Sequence, residues 1–207
     1  MLPGGDDYAD ALKTDTTLAK PPLACRAAFL YAGLMPAAPS LLRPLDPVRD
    51  GPALHAIFGD EASCRYLARP HFASVAETIA QLKAWGGPED DTSWAVVESA
   101  DGPALGRVSL YTHGRDIWEA ACMIAPSSRG RNLAARALSQ AIDIVFEKKG
   151  ARRIFADCDP DNIASIRTFE KLGFGREGTL RGTWETHLGL RDSVILGLLR
   201  DDPRPWR

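Results

Sequence analysis

Arg129-Gly130-Arg131-Asn132-Leu133-Ala134 joins the end of an apolar run, Ile117 to Ile124, to the start of the clearest helical pattern in the chain. Leu133, Ala134, Ala137, Leu138, Ala141, Ile142, Val145 and Phe146 recur at three-to-four spacing, so they share one helix face. Lys148, Lys149 and Gly150 close that helix, with cations against its negative end and a glycine for the left-handed turn that follows. A strand that passes through a glycine-bearing loop into a long helix leaves the first-turn amides unpaired, and the helix dipole makes them a site for an anion such as a diphosphate. Arg129 and Arg131 add positive charge. Taken alone, the segment reads more often as an ordinary solvated helix entry, and its neighbours must separate the two readings.

Upstream, Trp94-Ala95-Val96-Val97, a turn at Asp101-Gly102, the run Leu105 to Tyr111, a turn at His113-Gly114 and the run Ile117 to Ile124 read as an antiparallel meander. Before it, Leu41-Leu42-Arg43 signals a strand, and Ala53, Leu54, Ile57 and Phe58 share a helix face. A second helix opens at Ser74-Val75-Ala76-Glu77, a capping box, with Val75, Ile79 and Leu82 as its buried stripe. Downstream, Ile154-Phe155-Ala156 is a short buried strand, and Asp161 or Asn162 caps a helix through Ile163, Ile166 and Phe169 to Leu172, ended by Gly173. Phe174 to Arg200 reads as a last hairpin around Gly189, followed by a Pro-rich tail. A meander before the main crossover helix predicts an α+β domain with a mixed sheet. Residues 1–34 lack periodicity and are expected to form an extension, or to precede a true start at Met35, leaving 35–207 as the domain.

The bulk composition narrows the function. At 207 residues, 45% hydrophobic and 25% charged, the chain has the make-up of a globular protein with one sizeable core. A net charge of -2 provides no broad basic field, so nucleic acid and anionic membranes are not expected partners. The Ala- and Leu-rich stretch Leu23 to Ala38 is broken by Arg26 and preceded by Asp6, Asp7, Asp10 and Asp15, unlike an export signal. Cys25, Cys64, Cys122 and Cys158 are scattered without C-x-x-C pairs or clustered histidines, which predicts no metal site, no disulfide framework and a reducing cytoplasm.

Ile124-Ala125-Pro126 followed by Arg129 to Ala134 resembles the signature Arg/Gln-x-x-Gly-x-Gly/Ala of the GNAT acyltransferase superfamily, placed after a strand that ends in Pro. Pro160-Asp161-Asn162-Ile163-Ala164-Ser165-Ile166-Arg167 through Glu170-Lys171-Leu172-Gly173-Phe174 resembles its second signature, in the right order and separation, and the likeness runs from about Leu41 to Arg200. The Asn-x-x-Ser and Glu-Lys-x-Gly-Phe pattern is most similar to the branch of ribosomal-protein N-terminal acetyltransferases. The resemblance implies a twisted, mostly antiparallel sheet of about six to seven strands with helices on both faces. It also implies acetyl-CoA as cosubstrate, a primary amine as acceptor, no metal, and a monomer or homodimer. A non-catalytic acyl-CoA-binding module is the alternative it leaves open.

Residue by residue, the resemblance implies that main-chain groups of Cys122 and Ile124 line the thioester and pantetheine arm. Amides of Arg129, Gly130, Arg131, Asn132, Leu133 and Ala134 hold the pyrophosphate, Asn162 contacts the arm from the opposite strand, and Phe169 borders it. An amide aimed at the thioester oxygen stabilises the oxyanion that develops there. Asn132 stands where the family has glycine, and Asn is the next residue to tolerate a left-handed backbone. An amine nucleophile must be neutral, and Glu119, in Trp118-Glu119-Ala120, matches a frequent acidic position on the central strand as its base through water; the plainer reading is a solvent-facing carboxylate. Where many members carry an acidic Tyr, this chain has Phe169, leaving Ser165 as the hydroxyl to protonate the thiolate or merely to bond within the helix's first turn. A weakly assisted site favours α-amines, which titrate unperturbed at about 7.7 to 8.0, over lysine at about 10.4. Trp184 and His187 belong to a hairpin that borders the acceptor site in the family; a packed Trp beside a surface His is the plainer account. His55, His71 and His113 are read as structural or surface residues.

Overall fold

The structure, a computed structural model, describes residues 41–86, 92–114 and 116–207. The expected extension over 1–34 lies outside them. The order of elements is β1 (Leu41–Pro44), α1 (Pro47–Phe58), α2 (Glu61–Cys64), α3 (Val75–Trp85), β2 (Ser93–Val97), β3 (Gly106–Thr112), β4 (Ile117–Ile124), α4 (Leu133–Lys148), β5 (Arg153–Cys158), α5 (Ile163–Lys171), β6 (Gly175–Thr186) and β7 (Gly189–Leu199). One seven-stranded sheet runs β1-β2-β3-β4-β5-β7-β6. Every pairing is antiparallel except β4 with β5. The parallel pair needs a crossover, and α4 supplies it.

Side-chain alternation along the strands sends residues to two cores, one on each face of the sheet. Trp94, Val96, Val108, Leu110, Ala120 and Ile124 pack with the stripe of α4, Ala137 to Phe146, and with Ile166 and Phe169 of α5. The intervening Ala95 and Val97 face the other way, toward Leu54, Ile57 and Phe58 of α1 and Leu82 of α3. Helices thus cover both faces, as expected. Leu138 and Phe146 are 1% exposed, a degree of burial at which truncation to Ala costs about 2–5 kcal/mol.

Local sequence explains the edges of this frame. The Asp46 carboxylate accepts from the amides of Val48 and Arg49, starting α1, with Pro47 at its first position. Arg43 reaches from β1 to the buried Asp50 of α1 in a two-bonded pair at 2.7 and 2.9 Å. At α3 the Ser74 hydroxyl accepts from Glu77 N at 3.2 Å, but the Glu77 carboxylate returns to Ala73 N rather than to Ser74. The α3 stripe is also rotated from its expected position: Thr78 and Leu82 are buried, while Val75 and Ile79 are half-buried. Thr78 faces inward because its hydroxyl is paired with His55 Nδ1 at 2.8 Å, which meets the cost of burying it.

Two features shape β4. Gly106 lies opposite Ile124, and a Cβ there would sit 2.5 Å from the Met123 carbonyl oxygen, so only glycine lets β3 lie this close to β4. The Pro-rich tail returns to the domain, where Arg204 and Trp206 donate to Asp143 of α4 at 2.7 and 3.0 Å.

Candidate functional site

β4 and β5 are in register over three pairs only, Ile117 with Arg153, Trp118 with Ile154 and Glu119 with Phe155. Beyond Glu119 the strands part. β4 continues to Ile124 paired with β3 alone, and β5 continues to Cys158 paired with β7 alone. The facing edges of Ala120–Ile124 and of 156–158 therefore present main-chain groups to a cleft rather than to each other, a geometry able to pair with an extended ligand.

The loop after β4 meets this cleft at the start of α4. Gly130 has φ +77° and Asn132 φ +57°, ψ +20°, the left-handed conformation expected of it. The first helical bond is from Arg136 N to Asn132 O at 3.2 Å, so the amides of the preceding turn have no partner within the helix. Asn132 makes no side-chain capping bond and does not compete for them. Leu133 is buried and Ala134 partly so, which leaves only their main chain to act. The arginines behave otherwise than as free cations. Arg129 donates to the Ile124 carbonyl at 3.2 Å and to the Ser63 hydroxyl at 2.5 Å, and Arg131 pairs with Glu98. Their guanidinium groups brace the loop against β4, α2 and the residue after β2; the Arg129 amide is taken by the Pro126 carbonyl at 3.4 Å, and the amides from Gly130 onward remain the anion donors.

The other expected contacts are distributed around the cleft. Cys122 packs toward α4, and burial pushes its thiol up to about 12, so the group stays protonated and its main chain is what the cleft meets. Asn162 lies not on the strand opposite β4 but beyond it, as the cap of α5, where its side-chain Oδ1 accepts from Ser165 N at 3.2 Å. The Ser165 hydroxyl is 3.3 Å from the Cys158 sulfur, whose burial raises that thiol to about 11. Phe169 is 4% exposed and packs edge-on to Phe174 at 5.1 Å, so its ring belongs to the core beneath α5.

Glu119 stands at the apex where the strands separate, and its environment contains what sequence reading missed. His113 Nε2 lies 2.7 Å from Glu119 Oε2. Tyr111 is directly opposite Glu119 in register, so the two side chains share one face of the β3–β4 pair. Burial, with Glu119 nearby, holds that phenol well above its usual range, so it remains a donor. The His113 ring packs against Tyr111 at 5.7 Å and Phe155 at 5.1 Å. Asp157, on the same face of β5, is raised by burial, partly offset by a bond to Ser193 and reinforced by Glu119. The available signal was strand alternation: counting back from the turn puts Tyr111 and His113 on the face of Glu119.

Trp184 and His187 lie farther out. Trp184 is 47% exposed on β6, not packed. It lies on β6, the edge strand, and among the described residues belongs to neither hydrophobic core. His187 Nδ1 lies 3.1 Å from the Leu67 carbonyl, and the Tyr66 hydroxyl donates to the Asp161 carbonyl, so the segment after α2 ties the last hairpin to the β5–α5 loop. Arg191 holds that loop from β7 through Asp159, at 2.8 and 2.9 Å, and through Asp161. The Arg191 guanidinium keeps the Asp159 carboxyl below the usual range. Among the described residues no group of three or more His, Cys, Asp or Glu is placed to hold a metal ion, and no helix is long and apolar enough to cross a membrane.

Comparison with known proteins fits this arrangement. Residues 40–175 match the family model described as the Acetyltransferase (GNAT) domain. The Probable N-acetyltransferase YjcK of Bacillus subtilis is 27% identical over 55% of this chain and 65% of its own length. The Spermidine N(1)-acetyltransferase of Escherichia coli K12 is 30% identical over 44% of this chain. The chain thus spans about half to two thirds of the length of these relatives, 50% in the second case. A crystal structure of an acetyltransferase (GNAT family) from Bacillus anthracis, 20% identical, superposes with a TM-score of 0.70 over 78% of this chain and 95% of that one, a likeness of fold.

Proposed function

The chain belongs to the acetyltransferase (GNAT) domain family, and from that membership we propose that it moves an acetyl group from acetyl-CoA to a primary amine, a protein or peptide N-terminus or a small amine. The observation that carries the reading is the parting of β4 and β5 immediately after Glu119, with the unpaired amides of the α4 entrance at the end of the same strand. These residues fit coenzyme A. Free main-chain edges suit the amide groups of a pantetheine arm, and a left-handed loop leading to a helix N-terminus suits a pyrophosphate. We assign the arm to the main chain of Cys122 and Ile124 with Asn162 beyond it, and the pyrophosphate to the amides of residues 130–134, with Arg129, whose own amide is bonded to the Pro126 carbonyl, bracing the loop that presents them.

Bound acetyl-CoA supplies an activated thioester carbonyl. Glu119 takes the ammonium proton, directly or through water, so that the amine has a lone pair. The new C–N bond forms as the C–S bond breaks, the nitrogen gives up its remaining extra proton, and the sulfur leaves as thiolate that takes up a proton. Ser165 is the hydroxyl assigned to meet it, and a thiol that titrates unperturbed at about 8.5 also leaves unaided at neutral pH. Trp184 and His187 are assigned to the acceptor side, and residues 35–207 to the acyltransferase domain. The pattern Asn162-x-x-Ser165 with Glu170-Lys171-x-Gly173-Phe174 supports the branch of ribosomal-protein N-terminal acetyltransferases, whereas the likeness to a spermidine acetyltransferase favours small amines.

The test is thiol release from acetyl-CoA with a panel of N-terminal peptides and polyamines, and mass analysis of the acetylated product. Glu119→Gln is expected to bind acetyl-CoA normally and lose roughly 10²- to 10⁴-fold in kcat, the usual range for a general base. Binding without turnover of any acceptor supports instead the acyl-CoA-binding module, the reading that Phe169, lacking a hydroxyl, favours.

A further inference from the structure

Glu119 is a flexible side chain on a strand, and a base is effective only when its oxygen is held where the proton will leave; a displacement of about 1 Å is enough to cost on the order of 10²-fold. The structure holds it by a donor from the turn that follows β3. Resting on the assignment of Glu119 as the base, we propose that His113 is a positioning residue that acts through Glu119, donating Nε2–H to Oε2 and leaving the other carboxylate oxygen free for the acceptor.

His113 is built as a fixed point. Its main-chain N–H donates to the Ile117 carbonyl at 2.8 Å, closing the β3–β4 turn, and Gly114 N bonds to the Thr112 hydroxyl at 3.0 Å. Its ring is held between Tyr111 and Phe155. An ionised carboxylate only accepts hydrogen bonds, so the nitrogen 2.7 Å away carries the proton, and the tautomer is set by its partner. The other charged groups facing this set are Arg107 of β3, which acts on Tyr111, and Asp157 of β5, a like charge beside Glu119. His113 is half-exposed, so it does not carry the core.

His113→Phe keeps a ring between Tyr111 and Phe155 and removes the donor, whereas His113→Gln returns an N–H at similar reach. With the full chain and the best acceptor of the panel, His113→Phe is expected to lower kcat by about 10- to 100-fold with the KM for acetyl-CoA nearly unchanged. His113→Gln recovers most of the rate. In a Glu119→Gln background His113→Phe costs no more than about twofold, since residues that act as a unit are not additive. A mere packing role produces neither that coupling nor the rescue by His113→Gln. The inference is overturned if His113→Phe turns over as wild type, or if it loses the same factor in both backgrounds. Absence of turnover by the wild-type protein overturns the acetyl-transfer reading and this inference with it, whereas wild-type turnover with an indifferent His113 overturns this inference alone.

Discussion

Asn132 has φ +57° and ψ +20°, with its side chain making no capping bond, so its contribution to the α4 entrance is the shape of the backbone. A left-handed conformation costs a residue bearing a Cβ about 1–2 kcal/mol, less for Asn, whose short polar chain tolerates it. Asn132→Ala restores the full penalty and should lose about 1 kcal/mol. For a chain of this length that lowers Tm by about 2–4 °C. If the same strain tips the free loop toward a right-handed form, the fraction competent to bind falls, and about 1 kcal/mol becomes a loss of about fivefold in acetyl-CoA affinity. Asn132→Gly relieves the strain but adds about 0.5–1 kcal/mol of backbone entropy to the unfolded chain, so the two nearly cancel in stability. Its affinity should equal or exceed that of wild type. Thermal unfolding and calorimetric titration with acetyl-CoA on the three proteins give both quantities. A tenfold affinity loss in Asn132→Gly at unchanged Tm would refute the reasoning, because the side chain would then contact the ligand directly.

Two further outcomes follow from the frame around the site. Gly106→Ala places a Cβ 2.5 Å from the Met123 carbonyl oxygen and 2.6 Å from Ile124 Cδ1, so β3 and β4 must separate; overpacking of this kind costs about 1–3 kcal/mol and should weaken acetyl-CoA binding as well, read by urea unfolding and titration. Arg191→Met removes the partner that holds the Asp159 carboxyl below its usual range. A depressed carboxyl contributes stability above its unfolded pKa, about 3.9, and loses it as pH falls through the lower folded value. The Tm gap between wild type and Arg191→Met should therefore be full at pH 7 and close in acid below about pH 4; a gap that persists unchanged to about pH 2 contradicts the ion-pair account.

What is legible in the chain and what is not divides by the range of the interaction. The stripe from Leu133 to Phe146 and the left-handed Asn132 follow from local preference, and both are present. The entry of β7 between β5 and β6, and the rotation of α3 toward Thr78, depend on partners far along the chain; no periodicity within Val75 to Leu82 reveals that His55 will satisfy the Thr78 hydroxyl. Tryptophan is usually buried, which makes a packed Trp184 the plainer expectation, yet it lies on the edge strand, and edge position is a property of strand order rather than of composition. The hydrogen bond at the base falls between these cases. Alternation puts Tyr111, His113 and Glu119 on one face only if the β3–β4 turn fixes the register observed, Thr112 against Trp118. A slip of one residue would turn His113 to the α4 face and leave Glu119 without that donor. Read as an isolated residue near a glycine, His113 is a surface histidine; read through the register of its hairpin, it is bonded to the base.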